Sequence, residues 1–313
     1  MRHLLKVPNE LQIACEYPIT LHEMVYEWTD FDFLIGLTAI RDQKYRDFFK
    51  GNRPENRYRV VDSGVYEDPK NPPTCEKLLN IAMQLEADEV VPTDLINDCS
   101  STLRNMSYFL GLAEQFPFKI QGVVQGRSLK EWLYCFQEFH DNPRVDVIGI
   151  TYFEVPEDIK QMGMTDFGVK DPAEAARLTL LNLIAGGLGV NLYDHQDPGV
   201  PSQLYYEMRG PLKKPIHLLG LRDCRAIPYY RLMPFVRSID TSFPVQLSIE
   251  GRSLHWDSLK PQLRVQFDAT EFVRAEKALV VQNVTRFSDM CRKPYMDAYW
   301  HLADRKAEMH TGV

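Results

Sequence analysis

Short apolar runs alternate with amphipathic ones along most of the chain. FDFLIGL (31–37), YRVVDSG (58–64), DEVVPTD (88–94), FKIQGVVQG (118–126), VDVIGITYF (145–153), IHLLGLR (216–222) and VRSIDTSF (236–243) read as strands, with LRVQFDA (263–269) as a weaker eighth. Between them, residues 75–87, 101–116, 128–140 and 173–186 carry apolar side chains at helical spacing. Ser100 is the expected N-cap of the second helix. Nearly continuous apolar strands that alternate with helices predict a parallel sheet covered on its faces. Seven or eight such units predict a closed (β/α)8 TIM barrel over about residues 30–270, in the α/β class. A helical segment over 271–313 would pack against it. No linker of domain scale, internal repeat or low-complexity tract interrupts the chain, so 1–313 is expected to be one domain. A dinucleotide-binding glycine fingerprint after the first strand is missing.

The informative polar residues are those that end the apolar runs. Asp62 closes YRVVD, Asp94 closes DEVVPTD, Gln125 follows GVV and Asp240 closes VRSID. Barrel active sites gather at the C-terminal ends of the strands, so these four side chains should meet at one mouth. Any single one reads first as a helix cap or turn residue, but four at corresponding positions weaken that reading. Asp98 competes with Asp94, although Asp94 ends the strand directly and Asp98 looks like a turn residue.

Composition narrows the picture. Apolar residues make up 44% and charged residues 25%, as in a folded globular protein. The longest apolar runs fall short of the roughly 18 residues of a membrane span, and MRHLLKVPNELQ lacks a signal-like core, so a cytoplasmic location is expected. The net charge of −7, from 36 basic and 43 acidic residues, excludes a global positive field but not a local basic groove. Six scattered cysteines contain no C-x-x-C pair and read as reduced structural thiols. The stretch 41–59 carries Arg41, Lys44, Arg46, Lys50, Arg53, Arg57 and Arg59; it reads either as a surface for a phosphate backbone or as a solvated face. Arg127, Arg222 and Arg225 also follow strand ends. AGGLG (185–189) reads as a helix terminus, and YDHQDPG (193–199) as a turn rather than a metal site. Tyr295, Tyr299 and Trp300 read as core or interface, and His140 and His217 as structural.

Several of these segments, taken in order, resemble the tRNA-guanine transglycosylase family. DSGVYE (62–67) resembles its D-S-G-G-F-Q, VVQGR (123–127) its V-Q-G-G, and VIGITYF (147–153) its I-G-G-L strand. KPIHLLGLRD (214–223) is similar to K-P-R-Y-L-M-G-V-G, and IDTSFP (239–244) to F-D-C-V-L-P. The likeness covers roughly residues 30–250. It departs at Val65, Glu67, Arg127 and Gln246, and the family's C-x-C-x-x-C zinc motif is missing, with Cys291 standing alone. These departures bear on tRNA binding more than on chemistry. A compact zinc-less relative is most similar to the DpdA-type enzymes, often phage-encoded, that place 7-deazaguanines in DNA.

The resemblance implies a glycosyltransferase that replaces guanine in nucleic acid, DNA favoured over tRNA, with a 7-deazaguanine such as preQ0. It implies Asp240 as the nucleophile of a covalent glycosyl intermediate and Asp62 as general acid/base. Asp94, Gln125, the backbone of Gly149 and Ile150, and a stacked Tyr66 would hold the base. Arg53, Arg57 and Arg127 would meet the nucleic-acid backbone. No cofactor, metal or membrane is expected; a homodimer or an accessory protein is. The alternatives are a tRNA-guanine transglycosylase and a non-catalytic binding subunit of that family.

Overall fold

A computed structural model describes residues 10–152, 168–186, 212–261 and 276–293. Eight parallel strands lie in the order β1-β8-β7-β6-β5-β4-β3-β2. They are β1 (Gln12–Cys15), β2 (Phe31–Ile35), β3 (Tyr58–Asp62), β4 (Glu89–Val90), β5 (Lys119–Val123), β6 (Val147–Thr151), β7 (Ile216–Leu219) and β8 (Val236–Thr241). The two edge strands approach each other: the Asp30 amide donates to the Ile13 carbonyl (2.8 Å), and the Ile13 amide donates to the Asp30 carboxylate (2.8 Å). The result is a nearly closed (β/α)8 barrel, the architecture the strand–helix alternation predicts.

The helices that follow the strands are α1 (His22–Val25), α2 (Gly36–Arg41), α3 (Gln43–Gly51), α4 (Cys75–Gln84), α5 (Cys99–Leu112), α6 (Leu129–Asp141), α7 (Pro172–Gly186), α8 (Ile227–Leu232), α9 (Phe243–Ile249) and α10 (Lys277–Arg292). Side-chain caps set several starts. Thr74 accepts from the Lys77 amide, Ser128 from Glu131 and Asp98 from Ser101. Asp98, not Ser100, therefore caps α5, two residues earlier than the sequence suggests.

Two differences from the expected strands matter. The barrel begins at Gln12, well before residue 30, because QIAC is a four-residue strand too short to show a period. With β1 in place, β8 at 236–241 completes the eight; the 263–269 run lies outside the described residues, as do 193–199, Tyr295, Tyr299 and Trp300. α10 then packs across the β1/β2 seam. The Leu11 amide donates to the Cys291 carbonyl (3.3 Å), and Arg292 pairs with Asp30 (2.7 Å). Among the described residues no helix is long and apolar enough to cross a membrane.

Side chains divide by strand parity, as a barrel requires. Ala14, Phe31, Phe33, Tyr58, Val60, Val91 and Val123 form the interior cluster, and the larger core lies between strands and helices. Continuing the same alternation on β1, β3 and β8 aims Glu16, Asp62 and Asp240 inward at the C-terminal mouth.

Candidate active site

Asp62 ends β3 and enters a tight turn. Gly64 there has φ +77°, and a Cβ would stand 2.7 Å from Leu37 Cβ and 2.8 Å from Ile35 Cγ2, so only glycine is accommodated. The turn lets the Gly64 amide donate to Asp62 Oδ2 (2.7 Å). Burial pushes the Asp62 carboxyl well above the usual carboxylate range, and the negative charges of Glu67, Asp94 and Asp240 add to the shift. Asp62, Asp94 and Asp240 thus share one electrostatic environment.

Asp94 lies four residues past the short β4 and is buried. Its Oδ2 accepts from Gln125 Nε2 (2.6 Å), while Gln125 Oε1 accepts from the Asn97 amide (2.9 Å). The loop after β4 and the residue after β5 are thereby clamped together. Burial raises the Asp94 pKa to about 6 against the Gln125 hydrogen bond, which lowers it. Asp98 is occupied as the cap of α5 and its carboxyl is held low by the Ser101 amide.

Asp240 is the penultimate residue of β8, with 2% exposure. Its Oδ1 lies 3.0 Å from His217 Nε2 on β7 and 3.4 Å from the Gly220 amide. Gly220 has φ +72°, and a Cβ would fall 2.3 Å from the Tyr152 ring. The next strand supplies Glu16, whose amide donates to the Thr241 carbonyl (3.1 Å) and whose carboxyl hydrogen-bonds Asp240. Burial, with Asp240 beside it, raises Glu16 to about 8; Asp240 itself is raised by burial to about 6. Of the two carboxyls, Glu16 is the more strongly raised. Lys260 closes over this pair: its Nζ lies 3.4 Å from Tyr152 Oη, its amide is bonded to the Arg222 carbonyl (2.8 Å), and burial lowers its pKa. Glu16, His217 and Lys260 are the site residues the sequence reading missed. Glu16 had a visible signal, an acid directly after an apolar run, but the run is only QIAC.

The remaining expected residues separate by barrel end. Tyr66 lies in the turn after β3, close enough to Tyr152 to affect its phenol. Gly149 and Ile150 lie within β6, with the Gly149 carbonyl already accepting from the Val124 amide (3.0 Å) and Ile150 fully buried. Arg127 is on the mouth side, its Nε donating to the Asn97 carbonyl (3.2 Å).

Arg53 and Arg57 are a correction: both precede β3 and sit at the opposite, N-terminal end of the barrel. Arg57 is buried on Asp32 (2.9 Å) and the Thr29 carbonyl and hydroxyl; Arg53 pairs with Asp88 (2.5 Å). Basic residues next to chain-neighbouring strands are drawn into ion pairs that close the barrel floor, so they do not face a nucleotide at the mouth. Arg222 and Arg225 are paired with Asp171 (2.8 Å) and Asp223 (2.8 Å). His140 bonds Asp141 and the Lys213 amide, a structural role.

Among the described residues the zinc of the resembled family has no fit. Cys291 is a buried residue of α10 itself, and the described residues contain no group of three side chains suited to a metal. Searches against protein-family models and against curated proteins return no match to this chain.

Proposed function

We propose that the protein is a base-exchange transglycosylase that replaces guanine in nucleic acid, DNA favoured, with a 7-deazaguanine through an Asp240-linked intermediate. The observation that carries the reading is that Asp62 and Asp240, two carboxyls whose proton affinity burial raises, lie near enough at the C-terminal mouth for the charge of one to act on the other. Exchange at a glycosidic carbon with retained configuration needs a carboxylate that captures the sugar and an acid that serves the leaving base.

In the first displacement an Asp240 oxygen forms a bond to C1′ as the C1′–N9 bond breaks, and Asp62 delivers its proton to the departing guanine. In the second, the N9 proton of the incoming 7-deazaguanine passes to Asp62, its nitrogen attacks C1′ and the Asp240 ester bond breaks. Protons and charges balance over the cycle. The Asp94–Gln125 clamp presents one carboxylate and one amide in fixed register, a donor–acceptor set suited to a guanine edge. Tyr66 supplies a ring for stacking. The target nucleotide must leave the helix to reach this depth.

The test is incorporation of labelled guanine or preQ0 into duplex DNA and into tRNA. Exchange on DNA with a trapped protein–nucleic acid adduct is expected. Exchange on tRNA alone would transfer the activity to the other polymer. Uptake by neither, with the fold intact, would leave a binding subunit as the better description.

A further inference from the structure

A second feature surrounds Asp240: a one-directional chain of buried hydrogen bonds that ends on its carboxylate. At the far end Glu89 accepts two bonds from Arg237 (2.8 and 3.0 Å) and one from Tyr58 Oη (2.8 Å), all inside the barrel. Arg237 Nε lies 3.0 Å from Ser238 Oγ, Ser238 Oγ lies 2.8 Å from His217 Nδ1, and His217 Nε2 lies 3.0 Å from Asp240 Oδ1. Arginine can only donate, so Ser238 accepts from it and turns its own hydrogen toward His217. His217 then accepts at Nδ1. Burial, with Arg237 adding its charge, lowers the His217 pKa to about 3, so the ring is neutral and its single proton is at Nε2. That proton points at Asp240. Phe33 stacks on the imidazole (centroids 5.5 Å apart) and Phe31 meets it edge-on (6.0 Å), which fixes the plane of the ring.

We propose that His217 is a positioning residue that holds Asp240 Oδ1 as a committed acceptor, leaving Oδ2 as the oxygen that reacts. The ion pair Arg237–Glu89 is the anchor that sets the direction of the chain, and Ser238 is the link that selects the tautomer. The Gly220 amide adds a second donor to the same oxygen (3.4 Å). Other charged groups reach Asp240 from each side: Glu16 from β1, Asp62 from β3, Lys260 from the segment after α9, and Arg177 from α7. Of these, only the Glu16 carboxyl also hydrogen-bonds the Asp240 carboxylate; the N–H donors, His217 and the Gly220 amide, both meet Oδ1. The role in exchange rests on the transglycosylase reading; the tautomer and the carboxylate's proton affinity do not.

The experiment therefore combines two readouts in the full chain. Nitrogen-15 shifts of the His217 ring should report the neutral Nε2–H tautomer across about pH 5 to 8. Carbon-13 titration of Asp240 should give a pKa about one unit higher in His217→Phe, which keeps a ring between Phe31 and Phe33 but has no donor. In exchange assays that variant should lose about 10- to 100-fold in kcat with KM nearly unchanged, and His217→Gln, which restores an N–H near the Nε2 position, should recover most of it. If His217→Phe fails to fold, Ser238→Ala gives the same test by releasing the tautomer. An Nδ1–H ring, an unmoved Asp240 titration, or equal loss in the Gln and Phe variants would overturn the proposal. Absence of exchange in the unaltered protein, with tautomer and titration as expected, would instead remove the transglycosylase reading and leave the positioning role standing.

Discussion

Asp240→Asn should abolish adduct formation and lower exchange by at least about 10³, because the amide cannot form the sugar ester. Asp94→Asn should act differently, raising KM for the free base about 10- to 100-fold through loss of one charge-assisted pairing while adduct chemistry persists. Glu16 permits a stability test. Its folded pKa of about 8 exceeds the ordinary value of 4.5, so the folded protein holds more protons than the unfolded one between these limits. That stabilisation is complete below about pH 4.5 and is lost as pH rises through 8. Glu16→Gln should therefore raise Tm by a few degrees at pH 8 and make no difference near pH 4, as read by thermal unfolding across pH. At this scale Asp62, Asp94, Gln125 and Asp240 were legible because each ends an apolar run. His217 was not, since a lone histidine within IHLL looks the same whether it fills space or donates to a carboxylate 23 residues further on, on the next strand.

Among elements, the long helices were readable within two or three residues at most ends, because their apolar periods span several turns. The strands gave two failures with physical causes. β1 has four residues, too few for a pattern, and went unread; β4 was read within 88–94 but holds only two residues, and each is fixed by its neighbours once the barrel assembles. The sequence alone could not say that one apolar run at 12–15 belongs to the sheet. Backbone constraint at the β7 end yields a prediction: Gly220→Ala should destabilise by about 2–4 kcal/mol, from left-handed strain plus the clash with Tyr152, measured by denaturant unfolding. Exchange should also fall, since the Gly220 amide would move off Asp240.

For the molecule as a whole, polarity between the two ends of the barrel decides which cations matter. On the nucleic-acid reading, Arg127→Ala, at the mouth, should lower the slope of log affinity against log salt for DNA by about one, without altering stability. Arg57→Ala should leave that slope unchanged and cost several kcal/mol, because Asp32 would remain buried beside only Arg59 (3.2 Å). The clustering of basic residues in 41–59 was visible in the sequence, but its division between floor and rim was not, since both lie within one connection. The acid pair Glu16–Asp240 straddles the first and last strands, and the first strand is held on its other side by few bonds and by α10. On the transglycosylase reading, turnover is thus a gauge of ring closure: as denaturant loosens the junction between chain start and chain end, it should vanish while helical ellipticity is still nearly full.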